Sequence, residues 1–425
     1  MNRRDFAGTC LMAAGTAVQQ SSGLGVWKAL GRLQEEDGAT PIEGGRWFSA
    51  QSPGDGMLFE FPAGTLAKSR ALTADMLLDG KELAVFLIIL REGEKGRGFR
   101  FSFGALNQCS FRMRLDLSLV DQGRWMSDRE GAFLKPLCSG DRVDLALVDR
   151  ISFTVSRTGP GGARWVMTPL QMLPALPPKL TTPVLPKGPL VDEFGQSALR
   201  DWPGKTRSLA ELTSRVRRQF EDAPGVSWPG TFSKWGGLQA LKLGEGTGWF
   251  RTQKHNGRWW LVDPAGCAFW SAGLDCVRVD TDARVDGIEG ALKWIPGRDE
   301  FPGADRTSGG GRSQTRFINY LAANMVRALG PEGWRDKWAH IALAEMKRMR
   351  FNTVANWSDW EFAARAGFPY VRPLSFRGSR SPMVYRDFPD VFHSGFEQDA
   401  TEYSAALAST AADPAFIGYF LMNEP

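Results

Sequence analysis

The chain has 425 residues, with 52 lysines and arginines set against 47 aspartates and glutamates, for a net charge of +5. A length of this kind holds two or three domains, each able to bury its own core, and the intermixed charges argue against a nucleic-acid-binding patch. The five cysteines form no CxxC pair and the three histidines are far apart, which argues against a zinc site or a Cys-His nucleophile.

At the amino terminus, Arg3-Arg4-Asp5-Phe6 is a twin-arginine pattern, followed by the short, weakly apolar segment Ala7 to Val18. Residues 1–18 read as a twin-arginine-type export signal, too short to cross a bilayer. No other stretch is long and apolar enough to span, so the expectation is an exported protein, periplasmic or secreted, with no membrane association after signal removal. Residues 19–43 are polar and Gly-rich and read as a flexible segment. Cys10 lies in the signal. Buried free thiols are the default for the other cysteines, and a Cys109–Cys138 bridge stays open in an exported protein.

Residues 44–173 read as a β-sandwich, jelly-roll-like in its strand spacing. Ala84 to Leu90 has the composition of a fully buried strand, whereas Phe99–Phe103 and Phe111–Leu117 alternate with period two. Val143–Leu147, Ile151–Val155 and Arg164–Met167 continue the series. Such a domain can bind carbohydrate or serve as a packing spacer, and both roles stay open. Six prolines between Pro174 and Pro189 mark an extended linker over residues 174–190.

Beyond the linker, Ser208 to Glu221 has helical spacing, and Asn256-Gly257 between two apolar runs is a hairpin signal. Ala268 to Cys276 is the first candidate parallel strand. More than thirty residues without a clear pattern follow it, and a segment that long would wall an active site. Helices are expected over Thr315–Leu329 and Arg335–Met349, the second with Trp338, Ile341, Ala342, Met346 and Met349 on one face. Strand two is Asn352–Trp357, a short helix spans Asp359–Ala366, and strand three is Phe368–Leu374. Ser394-Gly-Phe-Glu397 is a capping box opening a further helix. Strand four then runs through Phe416–Leu421 and stops at Asn423-Glu424-Pro425. Strands alternating with helices argue for a parallel sheet with helical cover. An acidic residue at the carboxyl end of such a strand is where a (β/α)8 barrel puts catalytic groups. Residues 191–425 therefore read as the amino-terminal half of a (β/α)8 TIM barrel. Twelve of the sixteen tryptophans lie after residue 200, where core packing and platforms for sugar rings both use them.

Several of these runs resemble agarase-like glycoside hydrolases of family 50 and relatives in clan A. They are Trp259-Trp-Leu-Val-Asp-Pro-Ala-Gly266, Phe269-Trp-Ser-Ala-Gly273, Asn352-Thr-Val-Ala-Asn-Trp-Ser-Asp359, Gly418-Tyr-Phe420 and Asn423-Glu-Pro425. The resemblance implies that Glu424 is the general acid/base and that Asn423 bonds the 2-hydroxyl of the sugar being cleaved. It implies retaining cleavage of β-glycosidic bonds in an agarose-like galactan, without a metal or organic cofactor. The clan's nucleophile is a glutamate on strand seven, which these 425 residues do not reach, so the resemblance makes the chain a fragment that lacks it. Asp275, Asn356, Trp357 and Arg372, at or near strand ends, are the remaining sugar-subsite candidates. Two other readings stand beside this one. The first is another clan A glycosidase, such as a mannanase or galactosidase, and the second is a non-catalytic carbohydrate-binding protein.

Overall fold

The computed structural model describes residues 22–24, 26–80, 82–121, 133–134, 136–179, 188–308, 315–374, 376, 378–385 and 388–421. The expected export signal and the Asn423-Glu424-Pro425 terminus lie outside the described residues, as do residues 180–187 of the proline-rich linker. The chain forms two compact units. The first runs to Val191 and includes Ser197–Arg200 and Gly287–Lys293, and the second comprises Asp192–Gln196, Asp201–Asp286 and the residues from Trp294 onward.

In the first unit, alternation of apolar and polar side chains produces two antiparallel sheets, because each strand has one face to bury. Ala71–Asp79 is central to a seven-stranded sheet, pairing with Ser110–Asp116, Ala163–Met167 and Gln171–Leu173. Ala84–Arg91 pairs with Gly98–Ala105 and Arg150–Arg157 in a six-stranded sheet. Inward residues of both sheets share one core, which is the expected sandwich. At its centre Trp165 is fully buried, with Phe86, Phe48 and Phe153 rings at 5.3, 5.9 and 6.4 Å. On the outer face, Arg112 makes a two-pronged bond to Asp75 at 2.7 and 2.9 Å.

The structure corrects three sequence expectations in this unit. Residues 19–43 are not a flexible segment throughout: Trp27–Leu30 pairs with Gly56–Glu60 and Gln34–Glu36 pairs with Arg46–Ala50. These are edge strands, whose exposed face tolerates polar residues, while Leu24 and Leu33 are buried. Ala84–Arg91 is buried on one face and half-buried on the other. Val143–Leu147 turns rather than extends, with Asp144 Oδ1 accepting from the Ala146 amide at 2.9 Å. Cys109 and Cys138 are both buried, the default expected of them, and no disulfide joins them.

In the second unit, helix α1 (Leu209–Asp222) starts where Ser208 accepts from the Glu211 amide at 3.2 Å. A four-stranded antiparallel sheet follows, in the order Leu238–Lys242, Cys267–Phe269, Arg258–Val262, Arg251–His255. Its hairpin turns at Asn256-Gly257, both with positive φ, as this dipeptide signals. The expected first parallel strand is split: Cys267–Phe269 joins this antiparallel sheet, and only Gly273–Leu274 pairs in parallel. Gly273–Leu274, Thr353–Val354, Tyr370–Pro373 and Phe416–Phe420 then form a four-stranded parallel sheet in sequence order.

Helices α2 (Tyr320–Leu329) and α3 (Trp334–Arg348) lie between the first two parallel strands, α4 (Trp360–Arg365) between the next two, and α5 (Phe396–Ala405) before the last. Helix α2 is shorter than expected. Thr315–Ile318 pairs between Ala283–Arg284 and Asp305–Ser308, and Asn319 caps the helix by accepting from the Ala322 amide at 2.9 Å. On α3, Ile341 and Met346 are buried as expected, joined by Ala339, Leu343 and Ala344, while Met349 is exposed. Helix α5 begins at Phe396, with the Phe396 amide bonded to the His393 carbonyl.

The Trp165 indole nitrogen is buried without a partner among the described residues, so its contribution there is packing. Trp165→Ala should destabilise the first unit by about 3–5 kcal/mol, and Trp165→Phe by less than half as much, since no hydrogen bond is lost. Chemical denaturation of the two variants measures the difference. Equal losses would show that the indole nitrogen is bonded after all.

Candidate functional site

Parallel pairing brings the carboxyl ends of all four strands to the same end of the sheet. Two asparagines on the second strand's segment mark its two ends. Asn352, on the amino side, is fully employed: its Nδ2 donates to the Gly236 and Trp270 carbonyls at 2.9 and 3.0 Å, and its Oδ1 accepts from the Ala272 amide at 2.9 Å. Asn356, on the carboxyl side, is 3% exposed, and neither its Nδ2 nor its Oδ1 has a hydrogen-bond partner among the described residues. An unpaired buried amide destabilises a fold by about 1–3 kcal/mol. Such groups persist where a ligand supplies the missing partner.

The first two strands remain fastened beyond the sheet itself. The Cys276 amide donates to the Asn356 carbonyl at 2.9 Å, the Val277 amide to Ser358 Oγ at 2.9 Å, and the Asp359 amide to the Val277 carbonyl at 3.1 Å. The extension forces Cys276 and Trp357 into the left-handed region, with φ of 59° and 56°. For a residue as bulky as tryptophan this backbone is strained, and strain of this kind gathers at functional sites. The Trp357 side chain is 44% exposed, and its ring lies 6.2 Å from that of Phe420 at the end of the fourth strand. Asp275, at the end of the first strand, is exposed.

Of the site candidates read from sequence, Asp275, Asn356 and Trp357 thus fall at the carboxyl ends of the first two strands. Arg372 is not brought to them. Its guanidinium bonds Ser409 Oγ at 3.0 Å and lies 4.8 Å from the Trp360 ring, so its charge is used within the helical layer. Asn423 and Glu424 lie outside the described residues.

Three features went unread in the sequence. Phe420 belongs in the sequence reading to an apolar strand and to the Gly418–Phe420 run, with no site role. Asp359 stands in the sequence reading as a helix start and as the end of the Asn352–Asp359 run, with no site role, yet burial raises its pKa and the charge of Asp280 adds to the effect. Asp399 on α5 holds the loop that follows the third strand, accepting from the Ser381 and Arg380 amides at 2.8 and 3.0 Å and from Ser381 Oγ at 2.7 Å. Burial alone would raise its pKa, but these donors and the Arg380 guanidinium outweigh it and hold the carboxyl well below the usual range. A Cβ at Gly378 would stand 2.3 Å from Asp399 Oδ2, so the loop needs glycine there. Beside the third and fourth strand ends, a cavity of about 630 Å3 is lined by Leu374, Phe376, Phe388, Phe396, Phe420 and Leu421, among others. No group of three or more His, Cys, Asp or Glu side chains that could hold a metal occurs among the described residues.

No family model matches the chain. Beta-agarase B of Vibrio sp. (strain JT0107) is 24% identical over 273 residues, which is 55% of this chain and 28% of that protein. Beta-agarase A of the same strain is 28% identical over 190 residues, covering 40% and 19%. The chain is agarase-like. The solved structure of an exo-beta-agarase superposes with a TM-score of 0.54 at 21% identity, covering 93% of this chain and 63% of that one. The agarase AgWH50C gives 0.56 at 16% identity, covering 96% and 64%. The agarase-like chain therefore spans less than a third of the length of these curated relatives and somewhat under two thirds of the solved chains.

The two asparagines make opposite predictions. Asn352→Leu should destabilise the second unit by about 2–4 kcal/mol, because it orphans an amide and two carbonyls. Asn356→Leu should leave the melting temperature unchanged or raise it, because it removes two polar atoms that bond nothing in the unliganded fold. A large loss in Asn356→Leu would mean that the amide is structural.

Proposed function

We propose that this chain supplies the amino-terminal part of an exported, agarase-like glycoside hydrolase, built as a β-sandwich followed by the first half of a (β/α)8 barrel. The observation that carries this reading is the orphaned Asn356 amide beside the strained, exposed Trp357, at the carboxyl ends of parallel strands that run in sequence order. A sugar chain suits such a place. Its hydroxyls both donate and accept, matching the two free atoms of Asn356, and the flat apolar face of a pyranose suits the Trp357 indole. Asp275 is placed to accept from a further hydroxyl. The beta-agarases to which the chain is similar favour a galactan such as agarose as the polymer.

In this reading Glu424 follows the fourth strand as general acid/base, and Asn423 bonds the 2-hydroxyl of the sugar being cleaved. A retaining mechanism needs a second carboxylate about 5–5.5 Å from the first, to attack the anomeric carbon while the acid protonates the leaving oxygen. The negative charge of that nucleophile also keeps Glu424 protonated at working pH. Within the proposal the nucleophile lies outside these 425 residues, in keeping with the share of the solved agarases that the chain covers.

The test is Glu424→Gln in a polypeptide that carries the complete barrel. Hydrolysis of agarose should fall by several orders of magnitude while substrate binding is kept. Activity that survives Glu424→Gln but disappears in Asp359→Asn would move the proton donor to the raised carboxyl at the second strand. Activity on mannans or other galactosides with none on agarose would reassign the polymer.

Export through the twin-arginine route belongs to the same proposal and rests on Arg3-Arg4 and the segment behind them. Replacing both arginines by lysine should retain the protein in the cytoplasm. Unchanged export on cell fractionation would rule the route out.

A further inference from the structure

The hairpin Trp249–Val262 carries Arg251, Lys254 and Arg258 and no aspartate or glutamate. Register divides its side chains between two faces. Arg258 and Trp260 project to one face, together with Gln253, which pairs opposite Trp260. The pairing of Leu261 with Phe269 continues to set Trp270 across from Trp260. At one end this face is closed, where Leu243, Val262 and Ala268 form a small buried cluster. At the other end it is bare: Trp270 is 60% exposed, and the Arg258 guanidinium sits between the indoles, 4.9 Å from the Trp260 ring and 5.6 Å from the Trp270 ring. Neither Arg258 nor Lys254 makes an ion pair among the described residues.

This face lies at the amino ends of the parallel strands, the end opposite the site described above. Trp270 precedes the first parallel strand, and its carbonyl is held by Asn352, which marks the amino ends of the sheet.

We infer that the bare end of this hairpin face, around Trp260, Arg258 and Trp270, is a second polysaccharide-binding site that takes an anionic chain bearing sulfate or carboxylate groups. It rests on the proposed function only for the class of polymer. The exposed Trp270 indole, beside the half-buried Trp260 ring, suits the apolar face of a sugar ring. An arginine fork matches the paired oxygens of a sulfate or carboxylate. A cation with no carboxylate partner, on a hairpin without acids, has its charge available to such a group. A neutral protein surface would leave Arg258 desolvated and unpaired, which is unfavourable. The site acts as an anchor: it holds an acidic stretch of polymer at the amino ends of the strands and leaves the carboxyl ends free for another segment.

Affinity electrophoresis of the purified chain tests this, with κ-carrageenan as the sulfated probe, agarose as its neutral counterpart and single-stranded DNA as a non-saccharide polyanion. Carrageenan should retard the chain, and added salt should weaken the retardation, since the contact is ionic. Arg258→Ala and Trp270→Ala should each weaken carrageenan binding by about tenfold or more, with melting temperatures unchanged. Asn356→Leu should have no effect on it. No retardation by carrageenan, equal retardation by agarose that salt does not weaken, or tighter binding to DNA would each overturn the inference. So would loss of carrageenan binding in Asn356→Leu with none in Trp270→Ala. If carrageenan binding behaves as expected but the complete enzyme releases no reducing ends from any galactan, the hydrolase reading fails and the anchor site stands.

Discussion

Parallel pairing of four very short strands is the constraint on which the second unit depends. Two of these strands have only two residues each, Gly273–Leu274 and Thr353–Val354, too few for ladder bonds alone to hold them. The register is secured instead by side chains and amides beyond the ladder. Asn352 bonds three main-chain groups at the amino end, and the Cys276, Val277 and Asp359 amides tie the two segments together at the carboxyl end. The price of that second fastening is the left-handed backbone at Cys276 and Trp357. Strain, an unbonded amide and an exposed indole are thus adjacent along the chain and share one structural origin.

This arrangement separates two kinds of buried polar residue that share a chemistry. Asn352 and Asn356 are the same residue type, four positions apart and equally buried, yet one has both side-chain polar atoms bonded and the other has neither bonded among the described residues. The difference lies in what surrounds them. Asn352 faces the carbonyls of the Gly236 turn and of Trp270, whereas the segment beside Asn356 uses main-chain groups for its bonds and leaves the side-chain amide over. The same logic applies to the carboxylates. Asp399 is saturated with donors and holds a loop, while Asp359 is partly buried near another aspartate, and both effects raise its pKa.

The first unit follows a simpler physics. Its two sheets bury one shared core, and the aromatic cluster around Trp165 needs no polar partner to be stable. Charge on its outer faces is largely consumed in pairs such as Arg112–Asp75. The contrast with the hairpin of the second unit, where Arg258 is left between two indoles without a counter-charge, is what makes that hairpin face chemically distinctive.

Much of this was legible in the amino-acid sequence. Alternation marked the sandwich strands, Asn256-Gly257 marked the hairpin, Ser208 marked the start of α1, and the order of apolar runs marked four parallel strands. These features rest on local periodicity and on the backbone preferences of single residues, which a chain carries wherever it is read. What neighbours decide was not legible. Thr315–Ile318 is a strand because two other strands flank it, and Gln34–Glu36 is a strand because an edge needs only one partner. Arg372 stands at a strand end in sequence but spends its charge on Ser409 and Trp360 in space. Whether a buried asparagine or an arginine has a partner depends on groups far away in the chain, so that property belonged to the tertiary structure alone.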